Sequence, residues 1–160
     1  MKIFTSLIPK EIGCLGDIKL DVIILIDILR ASTTLIFALK SGARSVISAS
    51  TIEEAYELQR KFMHEKPLLC GERDGLIIPG FDLGNSPTEY TPENVCGRML
   101  IYSSTNGSVL MKKVDMLAEN VLLMSLTNIS AVINYVESIN AESILLACAG
   151  YRGVVSLEDV

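Results

Sequence analysis

Short apolar runs alternate with amphipathic segments along the chain. Seven of these runs predict strands, because most are apolar on both faces and rich in Val, Ile and Leu, which is typical of strands covered on two sides. The predicted strands span residues 2–7, 22–27, 45–48, 67–70, 99–103, 121–125 and 143–148.

The segments between the strands carry helix signals. Apolar side chains at 3.6-residue spacing predict a helix over roughly 128–139. A second helix is predicted to begin at Thr51, where a capping-box pattern lets the Thr51 side chain and Glu54 each satisfy a free backbone N–H. A third helix is predicted over about 32–42, and a fourth directly after Gly107.

This alternation predicts one α/β domain over residues 1–160, with three α/β/α layers and a largely parallel or mixed sheet. Residues 71–98 interrupt it as an irregular insertion rich in Gly and Pro, within which 76–78 are expected to form a short hairpin arm. Loops of this length are commonly functional. Residues 156–160 have the pattern of a helix's first turn, so we expect the domain to be truncated at its C-terminus, as part of a longer protein.

Composition and charge narrow the range of partners. Hydrophobic residues make up 49% of the chain and charged residues 21%, a balance typical of a soluble globular domain. The net charge is -5 without a basic cluster, so we expect a small anionic substrate and no nucleic acid. The longest purely apolar runs, 22–26 and 121–124, are far shorter than the ~20 residues of a membrane span. No two cysteines have CxxC spacing, so we expect reduced thiols, a cytoplasmic location and no membrane association.

Polar side chains follow five predicted strands at the point where each strand ends. Because ligands of open α/β sheets bind outside the carboxyl ends of the strands, we expect these side chains to form a polar, anion-binding site at one edge. In chain order they include Asp27, Arg30, Ser32 and Thr33; Glu72 and Arg73; Ser104, Thr105, Asn106 and Gly107; Ser125, Thr127 and Asn128; and Arg152.

Each cluster also has a purely structural interpretation. Asp27 could cap the following helix, although a carboxylate directly after five apolar residues needs a partner or a metal. Arg30 is equally compatible with an ion pair to Asp27 and with substrate contact. The small residues at 103–108 form either a phosphate-binding helix N-terminus or an ordinary capped turn. Asp82 and Asn85 are natural turn formers.

Several hydrolase chemistries are excluded by missing residues. The only histidine, His64, ends an amphipathic helix, which argues against Ser-His-Asp and Cys-His arrangements. The sequence has no phosphate-binding GxxxxGK loop, and Leu29 stands where an Asp-x-Asp phosphatase has its second acid. No cysteine is followed by an arginine six residues later. The carboxylates, arginines and backbone amides that remain indicate phosphoryl chemistry with a divalent metal such as Mg²⁺.

Five motifs resemble the 2-phosphosulfolactate phosphatase family and occur in the family's order over nearly the whole chain. They are DILRASTT at 27–34, GERDG at 71–75, GFDLGNSP at 80–87, STNG at 104–107, and CAG at 148–150 followed by Gly153 and SLED at 156–159. The resemblance implies a magnesium-dependent phosphatase with an α/β fold, which converts 2-phosphosulfolactate to sulfolactate and phosphate, a step towards coenzyme M.

On this resemblance we hypothesise that Mg²⁺ is held by Asp27 with Glu72 or Asp82. Glu158 or Asp159 is a candidate general acid/base or second metal ligand, and Asp27 is also a candidate nucleophile. The candidates for substrate binding are Arg30, Ser32, Thr33, Arg73, Asn85, Ser104, Thr105, Asn106, Gly107 and Arg152.

The chain departs from the family pattern in two ways. Ser103, Ser104 and Ser108 stand where the family usually has threonine, a change that keeps the hydroxyl. Family members also continue well past the SLED motif. Two alternatives stay open: a magnesium-dependent phosphatase of another phosphorylated or sulfonated hydroxy acid, and a non-catalytic anion-binding domain. The sequence is compatible with a homodimer.

Overall fold

The predicted alternation of strands and helices is confirmed by the computed structural model, which describes residues 1–16, 18–114 and 117–160. The strands are β1 Lys2–Ser6, β2 Val22–Ile26, β3 Ser45–Ser48, β4 Leu68–Arg73, β5 Leu76–Ile77, β6 Met99–Ser103, β7 Asn120–Met124 and β8 Ser143–Cys148. The α-helices are α1 Ala31–Lys40, α2 Ile52–Lys61, α3 Pro92–Val95, α4 Gly107–Val114 and α5 Ile129–Ser138. Short 3₁₀ helices span Pro9–Leu15, Met63–Glu65, Pro87–Glu89 and Leu157–Asp159.

The strands form two four-stranded sheets rather than the single sheet expected. The first has the order β1-β8-β2-β7 and is parallel throughout. The second has the order β3-β6-β4-β5 and is mixed, because β5 runs antiparallel to β4. All five residues of β2 are buried, since this strand lies between β8 and β7 and is covered on both faces.

Helices pack on both faces of each sheet, which confirms the α/β/α layering. In β2, Ile23 and Leu25 belong to one core cluster with Leu110 of α4, whereas Ile24 belongs to another with Val132 of α5. Alternate residues of the strand therefore face opposite helices.

The second sheet repeats this arrangement. Leu100 and Tyr102 of β6 pack in one cluster with Leu35 of α1, while Ile101 packs in another with Ala55 of α2. Helix α1 also contacts β7, and α4 contacts both β2 and β3. Helices α1 and α4 thus lie between the two sheets and join them.

Smaller features refine the predictions. The hairpin arm is confirmed as β5, in which Leu76 pairs with Arg73. The Thr51 side chain accepts the N–H of Glu54 at 3.1 Å, but the Glu54 carboxylate accepts the N–H of Ser50 instead of that of Thr51. The capping box is therefore incomplete. In the described ranges, no helix is long and apolar enough to cross a bilayer, and all four cysteines are free thiols.

Candidate active site

A cavity of about 100 Å³ lies where strands from both sheets end. Three of the five predicted polar clusters contribute to it, those at the ends of β2, β4 and β6, and the loop after β8 contributes Tyr151 in place of the predicted Arg152. Its lining residues are Asp27, Leu29, Arg30, Glu72, Gly75, Asn85, Thr105, Asn106 and Tyr151. The cluster after β7 is separate, because Ser125 and Asn128 hydrogen-bond within their own turn. The site therefore lies between two sheets and not along the edge of one.

Asp27 is one of two acids that line this cavity, and it lies between β2 and α1. Its Oδ1 accepts the N–H of Ala31 at 3.0 Å, and its Oδ2 accepts no hydrogen bond from the described residues. Burial is the main reason that the pKa of Asp27 rises to about 6, and the charges of Asp159 and Glu72 raise it further, while the backbone N–H groups of Ala31 and Arg30 lower it. The carboxylate thus carries a destabilised charge near neutral pH.

The raised pKa of Asp27 predicts a stability effect that depends on pH. Between about pH 4 and 6 the folded chain holds a proton that the unfolded chain has lost, so the free energy of unfolding falls as the pH rises through this range. Asp27→Asn mimics the neutral carboxyl. We expect it to stabilise the metal-free chain at pH 7 by roughly 2–3 kcal/mol and to have little effect near pH 3.5. Urea unfolding in a chelator across this range measures the difference, and a pH-independent difference would contradict it.

Gly107 is packed against the Asp27 carboxylate. A Cβ at this position would lie 2.8 Å from Asp27 Oδ2 and 2.7 Å from the Cβ of Ala31. Both distances are shorter than real carbon contacts, so α1 or α4 would have to move. Gly107 was predicted to bind substrate, and the structure shows it as the residue that lets α4 approach Asp27.

Gly107→Ala should therefore displace Asp27. We expect any phosphate-release activity of the chain to fall by roughly 10- to 100-fold, because small misplacements of a group at a reacting site are costly. The free energy of unfolding should fall by about 1–3 kcal/mol, which is typical of overpacking. The control is Gly13→Ala, whose Cβ meets nothing within 4 Å. Equal activity of the two variants would show that the close approach to Asp27 is unimportant.

Glu72 is a buried carboxylate whose contacts fix the cavity wall. Its Oε1 accepts the N–H of Thr105 at 2.7 Å, and its Oε2 accepts the Thr105 hydroxyl at 3.1 Å and the N–H of Gly75 at 2.7 Å. These bonds join the end of β4 to the turn before α4. Asn106, the next residue of that turn, accepts the N–H of Arg152 and ties it to the loop after β8.

Arg30 and Asn85 bring donors to the cavity. The Arg30 guanidinium has no hydrogen bond or ion pair with any residue that the structure describes. Asn85 accepts the hydroxyl of Tyr102 at its Oδ1, and the Thr34 hydroxyl at its backbone oxygen at 3.0 Å. The Asn85 amide nitrogen makes no hydrogen bond within the described ranges. Both side chains are therefore free to bind an anion there.

The small hydroxyl residues act as local caps and do not line the cavity. Ser32 Oγ accepts the N–H of Asp27 at 3.1 Å, and Thr33 Oγ1 donates to Ile28 at 2.8 Å. Ser104 and Ser108 are both buried and cap each other, each hydroxyl accepting the other residue's N–H. These contacts match the structural interpretation, although Ser32, Thr33 and Ser104 were predicted to bind substrate.

Two of the three candidate arginines lie away from the cavity. Arg73 donates to Ser103 Oγ and to the carbonyl of Glu72, both at 2.8 Å. Arg152 is exposed and forms an ion pair with Asp74, and its neighbour Tyr151 lines the cavity instead.

Asp82 is also placed elsewhere. Its Oδ2 accepts the N–H of Leu69, near the start of β4, at 2.8 Å. It lines a different cavity, of about 350 Å³, together with Arg60 and Arg98. The structure therefore does not bring Asp82 to Asp27 and Glu72.

Glu158 and Asp159 line a mostly apolar cleft beside the candidate site. Glu158 is exposed and accepts the Ser156 hydroxyl. Asp159 is buried and accepts the N–H of Ile28 at 2.8 Å and the N–H of Gly150 at 3.1 Å. Burial raises the pKa of Asp159. Its carboxylate thus clamps the ends of β2 and β8, the neighbouring strands that lead into the cavity.

Four residues of the site are not among the predicted site residues. Leu29, Gly75 and Tyr151 line the cavity, and Tyr102 contacts Asn85 from behind it. Leu29 and Tyr151 each precede a predicted arginine in the sequence, so their position after a strand could have identified them. They were not considered because neither side chain is charged. Tyr102 gave none, because a tyrosine inside an apolar run is typical of a core strand.

Two carboxylates line the cavity and are the candidate ligands for Mg²⁺. No cluster of three or more His, Cys, Asp or Glu side chains suited to a metal occurs among residues 1–16, 18–114 and 117–160. Mg²⁺ is commonly held by only one or two carboxylates together with substrate phosphate and water. Asp27, with its unpaired Oδ2, and Glu72 fit that donor set, and Asp82 does not add to it.

Comparison with known proteins places the chain in a family. The model of the 2-phosphosulpholactate phosphatase family matches residues 7–160. A probable 2-phosphosulfolactate phosphatase of Caldanaerobacter subterraneus is 44% identical over 144 residues, which are 90% of this chain and 59% of the relative. One of Thermotoga maritima is 43% identical over 136 residues, which are 85% of this chain and 56% of the relative. One of Carboxydothermus hydrogenoformans is 38% identical over 159 residues, which are 99% of this chain and 63% of the relative.

The chain thus spans little more than half the length of the curated relatives it matches. The match nevertheless runs through all the elements that build the cavity, from β2 to the loop after β8. The chain belongs to the 2-phosphosulpholactate phosphatase family.

Proposed function

We propose that the protein hydrolyses 2-phosphosulfolactate to sulfolactate and inorganic phosphate in a Mg²⁺-dependent reaction. The observation that carries this proposal is one cavity lined by Asp27, Arg30 and Asn85, in which the Arg30 guanidinium and the Asn85 amide nitrogen have no hydrogen-bond partner among the described residues. The names of the relatives support the substrate. By the same resemblance, the reaction would be a step towards coenzyme M, and we propose a cytoplasmic location.

Each residue of the cavity would make a different contact with a bound phosphomonoester. Arg30 would contact the phosphoryl oxygens, since a guanidinium makes paired hydrogen bonds to such groups. Asn85 would donate to another oxyanion. Asp27 and Glu72 would hold Mg²⁺, which when bound supplies positive charge to the phosphate oxygens.

We propose that Asp27 acts through its charge, and that water attacks the phosphorus. The ester bond between phosphorus and oxygen then breaks, and the released oxygen takes up a proton to give the alcohol. The alternative in which Asp27 is the nucleophile is tested by acid quenching during turnover. A phosphorylated Asp27 peptide would overturn the water mechanism.

Glu158 and Asp159 are the other candidate catalytic residues. Because Asp159 does not line the cavity and its carboxylate accepts N–H groups that follow β2 and β8, we propose that Asp159 positions the strand ends. A role for either residue as general acid/base or metal ligand stays a prediction, as do a homodimer and the absence of nucleic acid as a partner.

Phosphate release from a substrate panel tests the function. We expect release from 2-phosphosulfolactate with Mg²⁺ and none in a chelator, both for this chain and for a full-length relative. Preference for an unrelated phosphomonoester would contradict the substrate, and Mg²⁺-independent release would contradict the cofactor. An active relative beside an inactive chain would contradict the assignment of activity to this chain, and would favour an anion-binding domain if phosphate still binds.

A further inference from the structure

The backbone around Asn85 is held firmly, so that its side-chain orientation is the remaining variable. The Glu89 carboxylate accepts the N–H of Gly84 at 2.7 Å and that of Ser86 at 3.2 Å. Tyr90 donates its hydroxyl to the carbonyl of Gly84 at 2.7 Å. Residues on both sides of Asn85 are therefore tied within the loop, and the Thr34 hydroxyl ties the backbone of Asn85 itself to α1.

Tyr102 contacts the Asn85 side chain from behind the cavity. It is fully buried, does not line the cavity, and donates its hydroxyl to Asn85 Oδ1 at 2.5 Å. Burial raises the pKa of Tyr102 well above its usual range, so the phenol keeps its proton and stays a donor. Because this hydroxyl donates to Oδ1, the oxygen of the amide, and not its nitrogen, points to the tyrosine.

The nitrogen of the Asn85 amide then faces the cavity. In the described part of the chain, the only side-chain polar atoms that are fully buried without a partner are Ser48 Oγ and Ser50 Oγ. Asn85 Nδ2, which has no hydrogen-bond partner there, is therefore not sealed from open space. The cavity is the space that Asn85 lines, so the amide presents N–H donors to it.

We infer that Tyr102 is a positioning residue that orients the Asn85 amide, so that this wall of the cavity donates hydrogen bonds and selects an oxyanion of the substrate. Without the hydroxyl, the amide can rotate and present its oxygen to the anion. This inference rests on the proposed function and adds to it the group that sets the polarity of the wall.

Tyr102→Phe removes the hydroxyl and keeps the ring that fills the core. We expect it to weaken binding of inorganic phosphate, measured by calorimetry with Mg²⁺, by roughly three- to tenfold. KM for 2-phosphosulfolactate should rise by a similar factor with little change in kcat. Asn85→Ala should weaken phosphate by about tenfold, and the double variant should be no weaker than Asn85→Ala alone, because the tyrosine acts only through the amide.

The matched control is Tyr135→Phe. Tyr135 donates its hydroxyl to Asn120 Oδ1 at 2.8 Å, the same type of bond on an exposed surface outside the cavity. It should leave phosphate affinity unchanged. In the wild type, phosphate should shift the ¹⁵N and proton signals of the Asn85 side-chain amide, a measurement that does not depend on any variant.

The possible outcomes separate this inference from the proposed function. Unchanged phosphate affinity in Tyr102→Phe, additive effects in the double variant, or unshifted Asn85 amide signals would overturn the inference while hydrolysis by the wild type stands. Phosphate binding with the expected variant pattern but no hydrolysis would uphold the inference and overturn the function. A wild type that neither hydrolyses the substrate nor binds phosphate would overturn both.

Discussion

Asp27→Asn is expected to lower phosphate release by roughly 10³-fold, at saturating Mg²⁺ and substrate and at pH 7.5. The substitution conserves the shape of the side chain, and the amide oxygen can still accept the N–H of Ala31 that opens α1. It removes the negative charge that would hold the metal beside the phosphate. Activity should therefore disappear while the fold persists and, without metal, becomes more stable.

The opposite end of β2 offers a control for this experiment. Asp21 directly precedes this buried strand, and its carboxylate accepts the N–H groups of Glu142 and Ser143 at 2.8 and 2.9 Å. These bonds lower the pKa of Asp21. Asp21→Asn should leave the phosphate release per folded molecule near that of the wild type and should reduce stability. If Asp27→Asn keeps a tenth of the wild-type activity or more, Asp27 is not needed for the reaction.

Asp27→Asn and Asp21→Asn are expected to change the free energy of unfolding in opposite directions. This difference distinguishes a carboxylate that costs stability from one that contributes to it. Asp21 has a lowered pKa, so its charge stabilises the native state. Asp27 has a raised pKa, so its charge costs stability. Such perturbed groups cluster at functional sites. The charge on Asp27 is therefore better explained by binding of a ligand in the cavity than by a contribution to the stability of the fold.

The strands could be predicted from the sequence because each is a continuous apolar run, and seven of them are found within a few residues of the predicted bounds. The division into two sheets could not. Strand β2 pairs with β7 and β8, which lie about a hundred residues further along the chain, and apolar periodicity carries no information about such pairing.

The site could be predicted in part, because strand ends carry most of its polar residues. Asp27, Arg30, Glu72, Asn85, Thr105 and Asn106 were all identified in advance and all line the cavity. Arg73 shows why position alone is insufficient. Successive side chains of a strand point to opposite faces, so Glu72 reaches the cavity and Arg73 reaches Ser103 instead. Asp82 lies in a loop, where no periodicity predicts direction.

Gly71→Ala is expected to have the largest effect on stability. Gly71 pairs with Ser103 of β6 at φ +135°, and a Cβ there would lie 1.8 Å from the Ser103 carbonyl oxygen. Overpacking against backbone and a strained backbone conformation together should lower the free energy of unfolding by about 4 kcal/mol or more. At this chain length the melting temperature should fall by roughly 10 °C or more, which calorimetry or circular dichroism measures.

Gly97→Ala separates the two causes of that loss. Gly97 also has a positive φ, +71°, but a Cβ there would meet nothing within 4 Å, so only backbone strain acts. It should cost about 1 kcal/mol, and the excess for Gly71→Ala reports the close approach of β4 to β6. The same approach sets Glu72 beside Thr105, so any Gly71→Ala chain that folds should also lose activity. Equal melting temperatures for the two variants would contradict the close approach of Gly71 to Ser103. They would also contradict the position of Glu72 beside Thr105 in the cavity wall.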